Sequence, residues 1–195
     1  MSMTDMSGLN ERLLAGERVL WSGRPAQGFL LTSRDTVLIP MSLMWGGFAV
    51  FWETMVVTQQ KTPGFFALWG IPFVLIGLYF IVGRFLLDAW IRSGMLYAVT
   101  DKRILISRSG PFAKFTAVSL DRLPDASITE NSGGRGTIRF GDPAPLWGRR
   151  NSFASWTPSL DPTPQFIAIE DARSVFDQVQ RASRGGGLSS PGLSR

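Results

Sequence analysis

The chain has 195 residues, 45 % of them hydrophobic, carries a net charge of +5 at neutral pH, and contains neither Cys nor His. Without Cys it can form no disulfide framework and no thiolate metal site, and without His it lacks the commonest general base and every Ser/His or Cys/His pair. The basic surplus, with a pI near 10.4, suits an anionic surface, either lipid headgroups or nucleic acid.

Met1 to Asn10 is polar and leads into the charged stretch Glu11 to Arg24. A cleavable signal needs an apolar core close to the N-terminus, so insertion through internal apolar segments, with the chain kept whole, is expected. Residues 1–35 read as a cytoplasmic lead-in with room for one strand. Thr36 to Trp52 is then free of charge, bounded by Asp35 and Glu53, with Met55-Val56-Val57 beyond. Thr62 to Gly83 is a second uncharged run with no polar stripe at helical spacing. A helix needs about 20 mostly apolar residues to cross the hydrocarbon core of a bilayer. We therefore expect two membrane helices, over 36–57 and 62–87, joined by the short external loop 58–61. Gly and Pro occur in both, as membrane helices tolerate. Gly46-Gly47, and Gly77 with Gly83, offer small surfaces for helix packing. Arg12, Arg18, Arg24 and Arg34 precede the first span, and Arg84, Arg92, Lys102, Arg103 and Arg108 follow the second, whereas the loop holds only Lys61. Positive residues stay inside, which places both termini in the cytoplasm and the chain in the inner membrane. Glu53 falls at the outer end of its helix, where it reaches water.

From Gly94 the texture changes to short strands and turns. Met95–Thr100, Arg103–Arg108, Phe115–Leu120, Ala126–Glu130 and Thr137–Phe140 read as successive antiparallel strands, with turn residues between them. Gly141 to Pro164 contains five prolines and is neither continuous helix nor central strand. Phe166–Ile169 reads as a strand. Asp171–Ala182 reads as a helix whose Ala172, Val175, Phe176, Val179 and Ala182 form one buried stripe, with Gly185 as its stop. The Gly/Ser-rich tail 185–195 is expected to be disordered. A sheet of this size must bury one face. The order predicts a membrane α-hairpin plus an α+β cytoplasmic domain over 88–184. That domain is expected to be a pleckstrin-homology (PH)-like antiparallel sheet or partly open barrel capped by a C-terminal helix.

Three stretches carry a family resemblance: Leu14-Ala-Gly-Glu-Arg-Val-Leu-Trp-Ser-Gly-Arg-Pro25, Tyr97-Ala-Val-Thr-Asp-Lys-Arg-Ile-Leu-Ile106, and Phe166-Ile-Ala-Ile-Glu-Asp-Ala-Arg-Ser-Val175. In this order, with two spans between the first and second, the chain resembles the bacterial membrane-anchored PH-domain proteins (the bPH, or DUF304-like, group). The resemblance implies a PH-like fold and membrane residence, and carries no implication about activity. Within it, Thr100-Asp101 suits a side-chain-to-backbone turn, Tyr97 a large amphipathic strand surface, and Arg103 a pair with Asp101 or a neighbouring strand.

Two basic groups are candidate contacts. Lys102, Arg103, Arg108 and Lys114 surround the first strands, where basic residues can hold anionic headgroups or simply form a solvated strand face. Arg149 and Arg150 lie among Trp147, Phe153 and Trp156, a mixture that fits the headgroup layer. The same mixture can stack single-stranded nucleic acid, or fold back to fill the sheet's open face. A tethered domain meets lipid at far higher effective concentration, so lipid or a membrane partner is favoured over nucleic acid. The glycine-rich Asn131–Gly136 matches no phosphate-binding pattern, and the acids Asp121, Asp125, Asp142 and Asp161 form neither a dyad nor a metal site. No metal or cofactor is expected. The sequence thus points to a non-enzymatic membrane-anchored module that binds a protein partner, its own copies or anionic lipid. A small oligomeric transporter or pore subunit is the alternative, and a membrane enzyme is a weaker one.

Overall fold

A computed structural model describes residues 11–59, 64–130, 135–142 and 157–186. It divides into two compact units, Gly28–Ala89 and the combination of Met1–Gln27 with Trp90–Arg195.

The first unit is a helical hairpin. Helix α1 covers Asp35–Thr58 and α2 covers Gly64–Leu78. One π-helical turn, Tyr79–Gly83, carries α2 directly into α3, Arg84–Ser93. A hydrogen-bonded turn, Thr32–Asp35, leads into α1. The Thr32 amide and hydroxyl donate to Asp35 Oδ2 at 2.6 and 2.8 Å, and the Asp35 amide donates to the Thr32 carbonyl at 2.9 Å. Helices α1 and α2 pack through small residues. Leu38, Ser42, Gly46 and Ala49 form the buried stripe of α1, and a Cβ placed on Gly77 would come within 2.9 Å of the Gly46 Cα. Of the glycines expected to pack, Gly46 and Gly77 therefore meet, Gly47 faces open space, and Gly83 lies against the Tyr79 side chain. Thr54 and Thr58 return their hydroxyls to carbonyls one turn back, Val50 and Thr54, at 2.7 Å each.

Both helical runs are long and apolar enough to cross a membrane, and only 28 % of the most apolar stretch of the first and 17 % of the second is buried within the chain. Phe48, Phe51, Leu68, Trp69 and Leu75 are all exposed. A core helix of a soluble protein hides such residues, and soluble monomers rarely expose contiguous apolar surface beyond a few hundred Å².

The second unit is α+β. Strands β1 (Val19–Gly23), β2 (Met95–Thr100), β3 (Arg103–Arg108) and β4 (Lys114–Ser119) form one antiparallel sheet in that order. Strands β5 (Ala126–Glu130), β6 (Gly136–Phe140) and β7 (Gln165–Ile169) form a second antiparallel sheet. The strand possible in the lead-in is thus β1, and it pairs with β2, Val19 opposite Thr100 and Gly23 opposite Tyr97. The α+β unit is discontinuous in sequence, with the hairpin between two neighbouring strands.

Alternation fixes the core. Tyr97 and Val99 pair with Ile106 and Ile104 on one face of the first sheet, and all four are buried. From the second sheet Phe166 closes on them, its ring centroid 4.8 Å from Tyr97, 5.2 Å from Phe140 and 5.6 Å from Trp21. On the opposite face Ala98 and Leu105 are buried under Leu13, Val19 and Leu96, and the Arg12 guanidinium lies 4.7 Å from the Phe115 ring. Helix α4, Ala172–Gly186, runs through Gly185 rather than stopping there. It buries Ala172, Val175 and Val179 and half-buries Phe176 and Ala182, which is the expected stripe. Gly136 is required where β6 passes beneath it, since a Cβ there would sit 2.7 Å from the Ala172 Cβ and 2.9 Å from the Thr129 carbonyl oxygen.

The close glycine crossing makes a testable prediction. Gly77→Leu drives a side chain into the Gly46 backbone and should cost about 1–3 kcal/mol by overpacking. The thermal unfolding midpoint in detergent should fall, while Gly47→Leu, directed into open space, should leave it unchanged.

Candidate functional site

The three stretches that carry the resemblance converge in the α+β unit. Glu17 is their centre. Arg103 holds its carboxylate with both ends of the guanidinium, Nε to Oε1 and Nη2 to Oε2, each at 2.9 Å. The Thr100 hydroxyl donates to Oε1 at 2.7 Å and the Leu14 amide to Oε2 at 2.6 Å. The neighbouring backbone is joined too, with the Arg18 amide on Asp101 Oδ1 at 3.0 Å and the Asp101 amide on the Arg18 carbonyl at 3.1 Å. Within the turn the Lys102 and Arg103 amides donate to Thr100 Oγ1 at 3.2 and 2.9 Å. The third stretch joins from the other sheet. The Ile167 amide donates to the Tyr97 hydroxyl at 3.2 Å, and the Ala26 amide donates to the carbonyl of Ala168, a residue with φ of 47°.

Burial pushes the Glu17 pKa up, but the hydrogen bonds from Arg103, Leu14 and Thr100 and the Arg103 charge pull harder, leaving it below the ordinary glutamate value. Its side chain is completely buried and Arg103 is 18 % exposed. The cluster is a latch that holds the N-terminal segment on the β2–β3 turn. Arg103 therefore spends its charge inside the protein.

The other basic candidates divide. Lys102 is exposed and reaches the Ala15 carbonyl at 3.3 Å. Arg108 is half-buried, donating to the Phe112 carbonyl and, at 2.7 Å, to the Ser159 carbonyl. Burial lowers its pKa, against an opposing pull from Tyr97. Lys114 pairs with Arg108 in register and is exposed. Arg103 stands at the opposite end of β3, about 17 Å away at 3.3–3.4 Å per residue. The four residues are two pairs, Lys102 with Arg103 and Arg108 with Lys114. The second pair borders an open cleft with Thr116, Ser159, Asp161 and Gln165. Trp147, Arg149, Arg150 and Trp156 lie outside the described residues.

The hairpin holds the other notable surface. Trp45, Phe48, Trp52, Trp69 and Phe73 line an open apolar groove beside Ala49. Glu53 is half-buried near the C-terminal end of α1, and its carboxylate lies against Gly70, where a Cβ would overlap it. Among the described residues its Oε2 has no hydrogen-bond partner. The sequence reading used Asp35, Arg84 and Arg92 only as markers of span ends. In the structure all three are buried, as is Asp88, and Arg84 pairs with Asp35 at 2.8 Å. The spacing of 84, 88 and 92, one helical turn apart, was the signal that could have placed them on one face. Among the described residues no cluster of three or more acidic, Cys or His side chains could hold a metal ion.

The latch has a defined pH signature. A carboxylate whose native pKa is depressed stabilises the fold above its unfolded value, near 4.3, and loses that contribution as pH falls through the lower native value. Glu17→Gln should remove this acid-sensitive part and, by leaving Arg103 without its partner, destabilise the unit by about 3 kcal/mol at neutral pH. Hydrogen exchange of the Lys102 and Arg103 amides in the detergent-solubilised chain reads both effects.

Comparison of the chain with protein-family models, with curated proteins and with solved structures returns no match.

Proposed function

We propose that this chain is a non-enzymatic interaction module anchored in the inner membrane by its helical hairpin, with both termini in the cytoplasm. Its α+β unit is of the PH-like type and binds a protein partner, further copies of the chain or anionic lipid at the membrane face. The observation that carries the reading is the exposure of large apolar side chains along both helices of the hairpin. In water that surface would drive aggregation, whereas in lipid it is the favourable arrangement, with every helical backbone group satisfied internally. The PH-like assignment is supported, among the described residues, by seven antiparallel strands in sheets of four and three, followed by one amphipathic C-terminal helix. The cytoplasmic orientation is supported by the basic residues on the flanks of the spans. Lys102 and Lys114, whose side chains are exposed, would each contribute about 1 kcal/mol at an anionic surface.

Fractionation of cells expressing the full chain tests the anchor. The protein should sediment with membranes, resist alkaline carbonate and be released by detergent. Recovery in the supernatant without detergent would overturn the reading. In the same cells Arg181→Cys, on the exposed side of α4, should react with a membrane-impermeant maleimide only after the inner face is opened. Labelling from outside would reverse the orientation.

A further inference from the structure

Helix α3 is inside out. Arg84, Asp88 and Arg92, one turn apart along one face, are 3 %, 3 % and 1 % exposed. On the opposite face Leu86 and Trp90, also one turn apart, are 57 % and 54 % exposed, and Val82, in the π-helical turn before α3, is 40 % exposed. An amphipathic helix on a water-soluble protein does the reverse. The buried charges lie against groups of the protein: Arg84 forms an ion pair with Asp35 and lies 4.5 Å from the Phe85 ring, although its Nε and Nη2 make no hydrogen bond among the described residues, Arg92 donates to the Ala26 carbonyl, and Asp88 is also engaged. The arrangement therefore leaves Leu86 and Trp90 facing outward as apolar surface, with their helix's charge turned to the protein.

We infer that the Leu86–Trp90 face of α3 is embedded in the headgroup and acyl boundary of the inner leaflet, so that the second membrane segment extends past Leu87, its expected end, to Trp90. Two observations commit the face to lipid. First, it continues an exposed apolar run, from Leu75 and Leu78 through Val82 to Leu86 and Trp90, with no polar break on that side. Second, the lengths agree. Leu68–Ser93 is a candidate span of 26 residues, about 39 Å at 1.5 Å per residue, whereas the hydrocarbon core is about 30 Å thick and about 40–45 Å with its headgroup layers. Helix α1, whose span ends at Asp35, stops near the inner edge of the core, and α3 continues beyond the Arg84–Asp35 pair into the interfacial layer. A Trp at that depth is favoured, because its ring is apolar and its indole N–H can reach the wet side. Phe29, which is exposed before α1 and lies 6.0 Å from the Phe85 ring, adds apolar surface at the same end of the hairpin.

This inference rests on the hairpin crossing a bilayer, and the test separates the two. The natural chain has no Cys, so single spin labels can be placed by Leu75→Cys, Leu86→Cys, Trp90→Cys and Lys102→Cys in the full chain. Each is reconstituted in phosphatidylethanolamine/phosphatidylglycerol vesicles. Accessibility to oxygen, which partitions into lipid, is compared with accessibility to a water-soluble nickel chelate. The oxygen-to-nickel ratio should be highest at position 75, lower but still several-fold above position 102 at positions 86 and 90, and lowest at 102. Positions 86 and 90 as nickel-accessible as 102, with 75 still in lipid, would overturn the inference and leave the anchor standing. Shielding of 86 and 90 from both reagents, with spin–spin broadening, would assign the face to a second copy and also overturn it. Nickel access at position 75 would remove the anchor itself.

Discussion

Val19 pairs with Thr100 and Gly23 with Tyr97, although the whole hairpin lies between them in sequence. Neighbouring strands joined through so long a connection carry a large closure entropy, which a short hairpin turn would avoid. Two features offset it. The intervening chain is not a loose loop but two helices locked at Gly46 and Gly77, which bring the ends of the insertion back together. The returning strand then meets the Glu17 latch, whose charged hydrogen bonds from Arg103 are stronger than neutral ones. Pairing of β1 with β2 places Trp21 against Phe166 and so lets the two sheets share one core.

Charge is handled differently in the two units, for one reason. Where water is near, as at Lys102 and Lys114, lysines extend into it. Away from it Glu17 pairs with Arg103, and Asp35 meets Thr32 and Arg84, whereas Glu53 Oε2 has no hydrogen-bond partner among the described residues. A lone buried ion costs several kcal/mol, and its partners must satisfy most of its hydrogen-bonding capacity to offset that. Asp35 serves twice, accepting from Thr32 with one oxygen and receiving Arg84 with the other. It therefore couples the start of α1 to the start of α3.

The glycines and prolines of the hairpin follow the same logic of surroundings. Pro40 and Pro72 sit inside helices, positions that would break a helix in water but are tolerated where neighbouring helices and side-chain hydroxyls re-satisfy the backbone. The π turn at Tyr79–Gly83 adds a residue to the helical ladder just before Arg84. Such an insertion rotates everything after it. It lies where the exposed apolar side of α2 gives way to α3, whose opposite face carries the buried charges.

What the sequence determined by itself was whatever depends on neighbours along the chain. The two apolar runs, the period-two strands from Met95 to Phe140, and the stripe of α4 are local patterns, and the strands stand within a residue of where those patterns place them, whereas the second helical run continues to Ser93 and α4 to Gly186, past their expected ends. The tertiary structure alone decided which residue meets which. Glu17 and Arg103 are 86 positions apart, and no periodicity relates them, so a pair of Arg103 with Asp101 or a neighbouring strand could be expected but its partner Glu17 could not. Arg84 and Arg92 read as flanking charge, because a basic residue beside an apolar run is ordinarily in water. Their burial depends on Asp35, Ala26 and other groups brought in by folding. Composition sets what a segment prefers to touch, but only packing in three dimensions decides whether that preference is met by water, by lipid or by a partner far along the chain.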